Sequence, residues 1–211
     1  YLKDILGMEL HLPDGTRTSA CKRADSDLDA LPMPARDLIQ DYKGQYFFLA
    51  AQPMGSIYTS RGCSFDCNFC AIWEFYDRRT RFLSAKNIVD RMEACEDPFL
   101  FFLDDNFLSR KDRLLELADE IERRGVKKWW MTQGRTDFIA KNPEIIERLA
   151  QVGMMGILSG YESNDADALA ALKKRSSLEY NRQAAKILRK NGIVSTAIFM
   201  VRPDFDEKDF K

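Results

Sequence analysis

Histidine is almost missing from the 211 residues: His11 stands alone, with no ligand pattern around it. Long apolar runs are missing too. The longest, such as Phe99 to Leu103 and Ala197 to Val201, fall far short of the roughly 20 residues that a bilayer-spanning helix needs, so no membrane span is expected. Neither sign of charge dominates, since 32 Lys and Arg stand against 33 Asp and Glu; that balance argues against a nucleic-acid partner held on a basic face. With only 11 Gly and 7 Pro, a hydrophobic fraction of 45% and a charged fraction of 31%, collagen-like and disordered classes drop out and a soluble globular protein remains. The sequence opens at Tyr1 with no Met or signal-like segment and closes on Asp206 to Lys211, which reads as the start of a helix, so a piece of a longer protein is expected.

Cysteine is scarce but concentrated. Of the five, Cys21 and Cys95 stand apart, while Cys63, Cys67 and Cys70 form a C-x3-C-x2-C loop. An odd number in a chain large enough to fold without staples argues against a disulfide framework and for a reducing, cytoplasmic setting. Three thiolates cannot saturate a structural zinc, which takes four protein ligands, so a zinc reading must add Cys21, Cys95 or His11. Cys95 falls on the apolar face of a predicted helix with Ile88, Val89 and Met92, where a buried small hydrophobe is expected. Three Cys ligands with one open position suit a 4Fe-4S cluster with one iron free to bind something else.

From residue 55 the chain alternates strand-like and helix-like stretches, the pattern of an α/β fold with a parallel sheet. Strands are expected at Ser56 to Ser60, Pro98 to Leu103 (an apolar run to be buried on both faces), Lys128 to Thr132, Gly156 to Gly160 and Val194 to Val201. Between them, Ser84 caps a helix, and Ser109 with Asp112 and Ser176 with Glu179 read as capping boxes. Asn142-Pro143 opens a helix with Ile145, Ile146 and Leu149 inward. Residues 1–54 are less regular: Leu12 to Gly15 is a turn between extended pieces, and Leu28 to Arg36, with Pro32 and Pro34, is a linker at a domain boundary. Two domains are therefore expected, 1–54 and 55–211. A closed eightfold barrel needs about 250 residues, so five strand-helix units make a partial barrel, with ligands gathered at the carboxyl ends of the strands.

The cysteine loop, with Phe69 just before its last Cys and a strand just before its first, resembles that of the radical S-adenosylmethionine (SAM) superfamily. Leu28-Asp-Ala-Leu-Pro-Met-Pro34, Tyr58-Thr-Ser-Arg-Gly-Cys63, Phe102-Leu-Asp-Asp-Asn-Phe107, Tyr161-Glu-Ser163 and Phe199-Met-Val-Arg-Pro-Asp-Phe205 are similar to the cobalamin-dependent methylases and cyclases of that superfamily, the wording around the cysteines most of all to the hopanoid C-3 methylase type. The resemblance implies a radical SAM barrel with about six units, of which five are expected here. It implies that Cys63, Cys67 and Cys70 ligate a 4Fe-4S cluster that cleaves SAM reductively to methionine and a 5'-deoxyadenosyl radical, in a methyltransferase assisted by cobalamin. The Asp-x-His-x-x-Gly cobalamin motif is not in this sequence, so cobalamin comes from resemblance only. A small-molecule or lipid-like substrate and an electron donor such as flavodoxin or ferredoxin are implied with it. An oxidative cyclase and a non-catalytic zinc module are the competing readings.

The remaining candidates lie at strand ends. Adjacent Asp104 and Asp105 point to opposite faces, so at most one, taken as Asp104, is near the cofactor. Phe69 belongs beside it by position. Arg135 suits the methionine carboxylate or else a surface ion pair. Glu162 and Ser163 match the place at which relatives contact the ribose and methionine parts of SAM. Trp73, Phe75 and Tyr76 are candidates to shield the loop, and Trp129 and Trp130 point to opposite sides of their strand. No catalytic residue is assigned.

Overall fold

The structure, a computed structural model, describes residues 8–19 and 25–201. Cys21 and the expected C-terminal helix start lie outside them. The chain divides into two compact units between Pro32 and Met33, inside the proline linker. In the first, β1 (Glu9–His11) and β2 (Arg17–Ser19) pair antiparallel across the turn at Leu12 to Gly15. His11 is exposed on β1 beside Glu9.

The second unit opens with a 3-10 helix, Arg36–Gln45, in a stretch expected to be irregular. Its main body is a five-stranded parallel sheet in which strands follow one another in chain order: β3 (Met54–Ile57), β6 (Phe99–Phe102), β7 (Trp129–Gln133), β8 (Met154–Glu162) and β9 (Val194–Phe199). Sequential order with every neighbour parallel is the sheet of an α/β barrel, and here it is a partial one. Among the described residues β9 has β8 as its one strand neighbour, and Val194, Ile198 and Phe199 are exposed on it. The expected first strand is split: β3 stops at Ile57, and β4 (Ser60–Arg61) leaves the sheet to pair with β5 (Arg81–Phe82).

Helices cover one face of the sheet. They are α2 (Ala85–Ala94), α3 (Lys111–Arg124), α4 (Thr136–Lys141), α5 (Pro143–Gln151), α6 (Ala166–Ala171) and α7 (Leu178–Lys190); a single turn, α1 (Ile72–Phe75), follows the cysteine loop. The expected apolar faces are buried: Ile88, Val89 and Met92 on α2, Leu114, Leu117, Ala118 and Ile121 on α3, Ile145, Ile146 and Leu149 on α5. Cys95 is buried as expected but one residue past α2, in extended conformation, its thiol donating to Asp97.

Two of the three expected Ser caps move. Ser84 accepts the N–H of Asn87 as anticipated. Arg110 rather than Ser109 precedes α3, and Asp112 takes the Arg110 guanidinium instead of reaching back to a backbone N–H. Ser177 rather than Ser176 caps α7, because the Ser176 hydroxyl is engaged with that of Thr136 (3.0 Å).

Under the helices Phe102 and Trp130 stack at 4.8 Å and 12°, and Phe107 closes edge-on against Trp130 at 5.6 Å; all three are fully buried. The indole N–H finds the Val152 carbonyl at 3.0 Å, so this ring carries no unpaired polar group into the core. Trp129 turns to the opposite face and is 56% exposed. The run from Phe99 to Phe102 is not buried on both faces: Leu100 and Phe102 are sealed, whereas Phe99 and Phe101 look to the side without helices and stay half-buried, Phe101 against the ring of Phe48. No helix among the described residues is long and apolar enough to cross a membrane.

Phe102→Ala is expected to cost about 3–5 kcal/mol, the range for emptying a packed aromatic site, while Leu115→Ala on the exposed side of α3 should stay within about 0.5 kcal/mol. Urea midpoints of the two variants measure the difference; similar midpoints would contradict a core centred on Phe102 and Trp130.

Candidate metal centre

The chain leaves β3 at Ile57 and passes through Thr59 and Ser60 into the loop of Cys63, Cys67 and Cys70, at the carboxyl end of the sheet. All three cysteines are free; Cys67 is buried and the other two are partly exposed. The Cys70 N–H donates to the Cys67 carbonyl (3.2 Å), which folds the x2 interval into a turn, and the Trp73 indole donates to the same carbonyl (3.0 Å). Trp73 thus closes over the loop backbone, whereas Phe75 and Phe69 are 77% and 45% exposed. Burial pushes the Cys63 thiol up; the Phe65 N–H and the Arg135 guanidinium pull it the other way.

Asp104, expected near the cofactor, does something else. It is completely buried, and both oxygens are occupied: Oδ1 accepts the backbone N–H groups of Thr59 (2.7 Å) and Ser60 (3.1 Å), and Oδ2 accepts their two hydroxyls. The Arg113 guanidinium, on α3, donates to the Thr59 carbonyl and hydroxyl and stands 3.8 Å from Asp104. Burial lowers Arg113 to about 10, and it is held over the rings of Phe82 and Phe107. Asp105 adds a bond from the Gly62 N–H at 2.8 Å. Gly62 has φ +91°, and a Cβ there would fall 2.2 Å from the Arg79 carbonyl oxygen, so the entry to the loop admits only glycine without rearrangement.

Arg135 is buried rather than on the surface. Its Nε donates to Asp137 (2.8 Å), Nη1 to the Cys67 sulfur (3.7 Å) and Nη2 to the Lys174 carbonyl, and its plane lies 3.7 Å over the Phe65 ring. Lys174 in turn sends its ammonium to Glu162 and to the Gly160 carbonyl. Glu162 is buried with φ +65° at the end of β8, next to a register shift; a Cβ on Gly160 would overlap its carboxylate, so the glycine makes the space for this ion pair. Ser163 follows, partly exposed, its hydroxyl accepting the Asp165 N–H. The cysteine loop also leans on the turn after α6, with Asn68 bonded to the Ala171 and Leu172 carbonyls and Asp66 to Arg175.

With that geometry in place, the comparison with known families is decisive: residues 57–211 match the Radical SAM superfamily. The chain belongs to the radical SAM superfamily. It is 33% identical over 85% of its length to hopanoid C-3 methylase of Methylococcus capsulatus, covering 35% of that protein. It is 27% identical over 67% of its length to the anaerobic magnesium-protoporphyrin IX monomethyl ester cyclase of Rubrivivax gelatinosus, covering 26% of it. The chain thus spans about a third or less of these curated relatives. Among solved structures it superposes on the cobalamin-dependent SAM radical enzyme OxsB with a TM-score of 0.79 at 18% identity, over 95% of this chain and 30% of that one. For the methyltransferase TsrM of Kitasatospora setae the values are 0.67 and 16%, over 92% and 40%. At these identities the likeness speaks for the fold, a radical SAM partial barrel.

The donor set of this radical SAM chain fits a 4Fe-4S cluster. Three unpaired thiols sit on one loop, and a cluster spreads such ligands over separate irons rather than gathering them on one ion. Among the described residues no three of His, Cys, Asp and Glu already converge as on a single metal ion. Thr59 and Ser60 stand in the sequence stretch Tyr58 to Cys63 but with no role assigned, and Arg113, Asp137 and Lys174 are not singled out in the sequence at all. Of the last three, Arg113 leaves a trace, a charge on the α3 stripe with Leu117 and Ile121 at i, i+4 and i+8.

Asp104→Asn turns one of two accepting oxygens into a donor and leaves buried Arg113 without its counter-charge, an expected loss of about 3 kcal/mol or more. Exposed Asp105→Asn should cost under about 1 kcal/mol. Equal urea midpoints for the two would show that Asp104 is not the brace described.

Proposed function

We propose that the protein is a radical SAM enzyme in which Cys63, Cys67 and Cys70 hold a 4Fe-4S cluster and that it serves cobalamin-assisted methylation of an unactivated carbon. The observation that carries this reading is the set of three free thiols on one braced loop at the carboxyl rim of the parallel sheet, where such folds place their chemistry. Bound there, the cluster supplies the electron that cleaves SAM to methionine and a 5'-deoxyadenosyl radical.

The chain's own residues hold and orient. Asp104 and Arg113 fix the start of the loop, and Asn68 with the 171–175 turn fixes its middle. Trp73 covers the Cys67 backbone, and Phe69 stands beside the last cysteine. Glu162 and Ser163 serve the ribose and amino groups of SAM from the end of β8. Cobalamin has no assigned residue in this chain. A small-molecule or lipid-like substrate, an electron donor of the flavodoxin or ferredoxin kind and a cytoplasmic site complete the reading. The cyclase relatives support a second reading, an oxidative cyclisation that uses the same loop without methyl transfer.

Reconstituted anaerobically with iron and sulfide, the protein should carry about four of each. One zinc and no iron would instead establish the zinc module. Ala at Cys63, Cys67 or Cys70 should each abolish iron binding, and Cys95→Ala should retain it; loss of iron from the Cys95 variant overturns the ligand assignment. Glu162→Gln should keep the cluster spectrum and weaken SAM binding about tenfold or more, read by EPR titration of the reduced protein. Unchanged affinity removes Glu162 from the SAM site.

A further inference from the structure

Arg135 is the one cation whose guanidinium touches a cysteine of the loop among the described residues, and its surroundings leave it little freedom to do anything else. Asp137, the Lys174 carbonyl and the Phe65 ring take its Nε, Nη2 and face, and Nη1 points at the Cys67 sulfur. Only 7% of its surface and 8% of that of Asp137 are exposed, so the pair sits where charge is weakly screened. A guanidinium held this way does not swing out to meet a ligand carboxylate.

We infer that Arg135 is a positioning and tuning residue: its N–H···S bond to Cys67 raises the reduction potential of the cluster, and Asp137 holds part of that effect back. The inference rests on Cys63, Cys67 and Cys70 being the cluster ligands, and it replaces the SAM-carboxylate role expected for Arg135 from the sequence. The physical reason is charge. One-electron reduction, with dithionite as the donor, adds one negative charge to the cluster and its thiolates. A hydrogen bond and a positive charge at a ligand sulfur favour the reduced form, because bonds to the sulfurs and local net charge set the potential of such clusters. Asp137, within 2.8 Å of the same guanidinium, opposes this.

The two halves of the pair therefore predict opposite signs. Arg135→Gln should lower the potential, shifting the reduced-to-oxidised ratio at a fixed potential about tenfold, which for one electron is about 59 mV. Asp137→Asn should raise it. Both are read by EPR-monitored redox titration without SAM, on samples matched for iron content, and SAM affinity is measured separately. Local damage to the loop moves both variants in one direction and overturns the inference, as does an unchanged potential in Arg135→Gln. Unchanged potential with weakened SAM binding would return Arg135 to the methionine carboxylate. If Arg135→Gln does not hold iron, Asp137→Asn alone decides, by a rise or its absence. A wild-type protein that binds no iron defeats the cluster assignment itself, an outcome distinct from all of these.

Discussion

The Asp104 carboxylate is the point from which the site is built. It stands two residues past β6, lies entirely out of solvent and accepts four hydrogen bonds from two consecutive residues, Thr59 and Ser60, which begin the cysteine loop. A buried carboxylate is tolerable only when its lone pairs are filled and a counter-charge is near; Thr59 and Ser60 meet the first condition, and Arg113, bonded to Thr59 and facing Asp104, meets the second. Because β6 lies next to β3 in the sheet, this cluster fixes where the chain goes when it leaves β3. The loop direction, the φ +91° turn at Gly62 and the antiparallel bridge of β4 with β5 follow from that anchor.

A second anchor holds the other side. Cys67, Arg135, Lys174 and Glu162 form a chain of polar contacts from the middle of the cysteine loop, across the end of β7, to the end of β8. Lys174 is the crossing point, with its carbonyl on Arg135 and its ammonium on Glu162. The expected cofactor residues Arg135 and Glu162 are therefore mechanically joined to a cysteine through a residue that no motif singles out. The loop does not sit on the sheet as an independent knuckle; it is tied into the ends of β7 and β8.

What was legible in the sequence is what depends on period and spacing. The five strands, the inward faces of α2, α3 and α5, the opposite facing of Trp129 and Trp130 (though not which of them is buried), and the cysteine loop all obey local rules that leave a mark in consecutive residues. What was not legible depends on partners far along the chain. Ser176 loses its capping role to Ser177 because Thr136, forty residues earlier, holds its hydroxyl. Asp104 and Asp105 look alike in sequence, and only the position of Thr59 and Ser60 decides which one is buried. Arg135 could read as a surface ion pair because its seat, the turn around Lys174, is set by tertiary packing. The half-burial of Phe99 and Phe101 has the same origin, since an apolar run cannot say which sheet face a helix layer will cover.

These anchors bear on how the loop can hold a group at its open end. Ordering backbone costs about 1–2 kcal/mol per residue, so a free segment from Cys63 to Cys70 would have to draw that whole cost from metal binding. Here Gly62 is held by Asp105, Asp66 by Arg175, Asn68 by two carbonyls of the 171–172 turn, and Cys67 by Arg135 and by Trp73 through its carbonyl. Much of that ordering is met by these protein contacts. The three thiols do not converge on a single point among the described residues, so what these contacts order is the backbone that carries them. The hold on the loop thus comes from two directions, the buried acid just past β6 and the buried guanidinium just past β7.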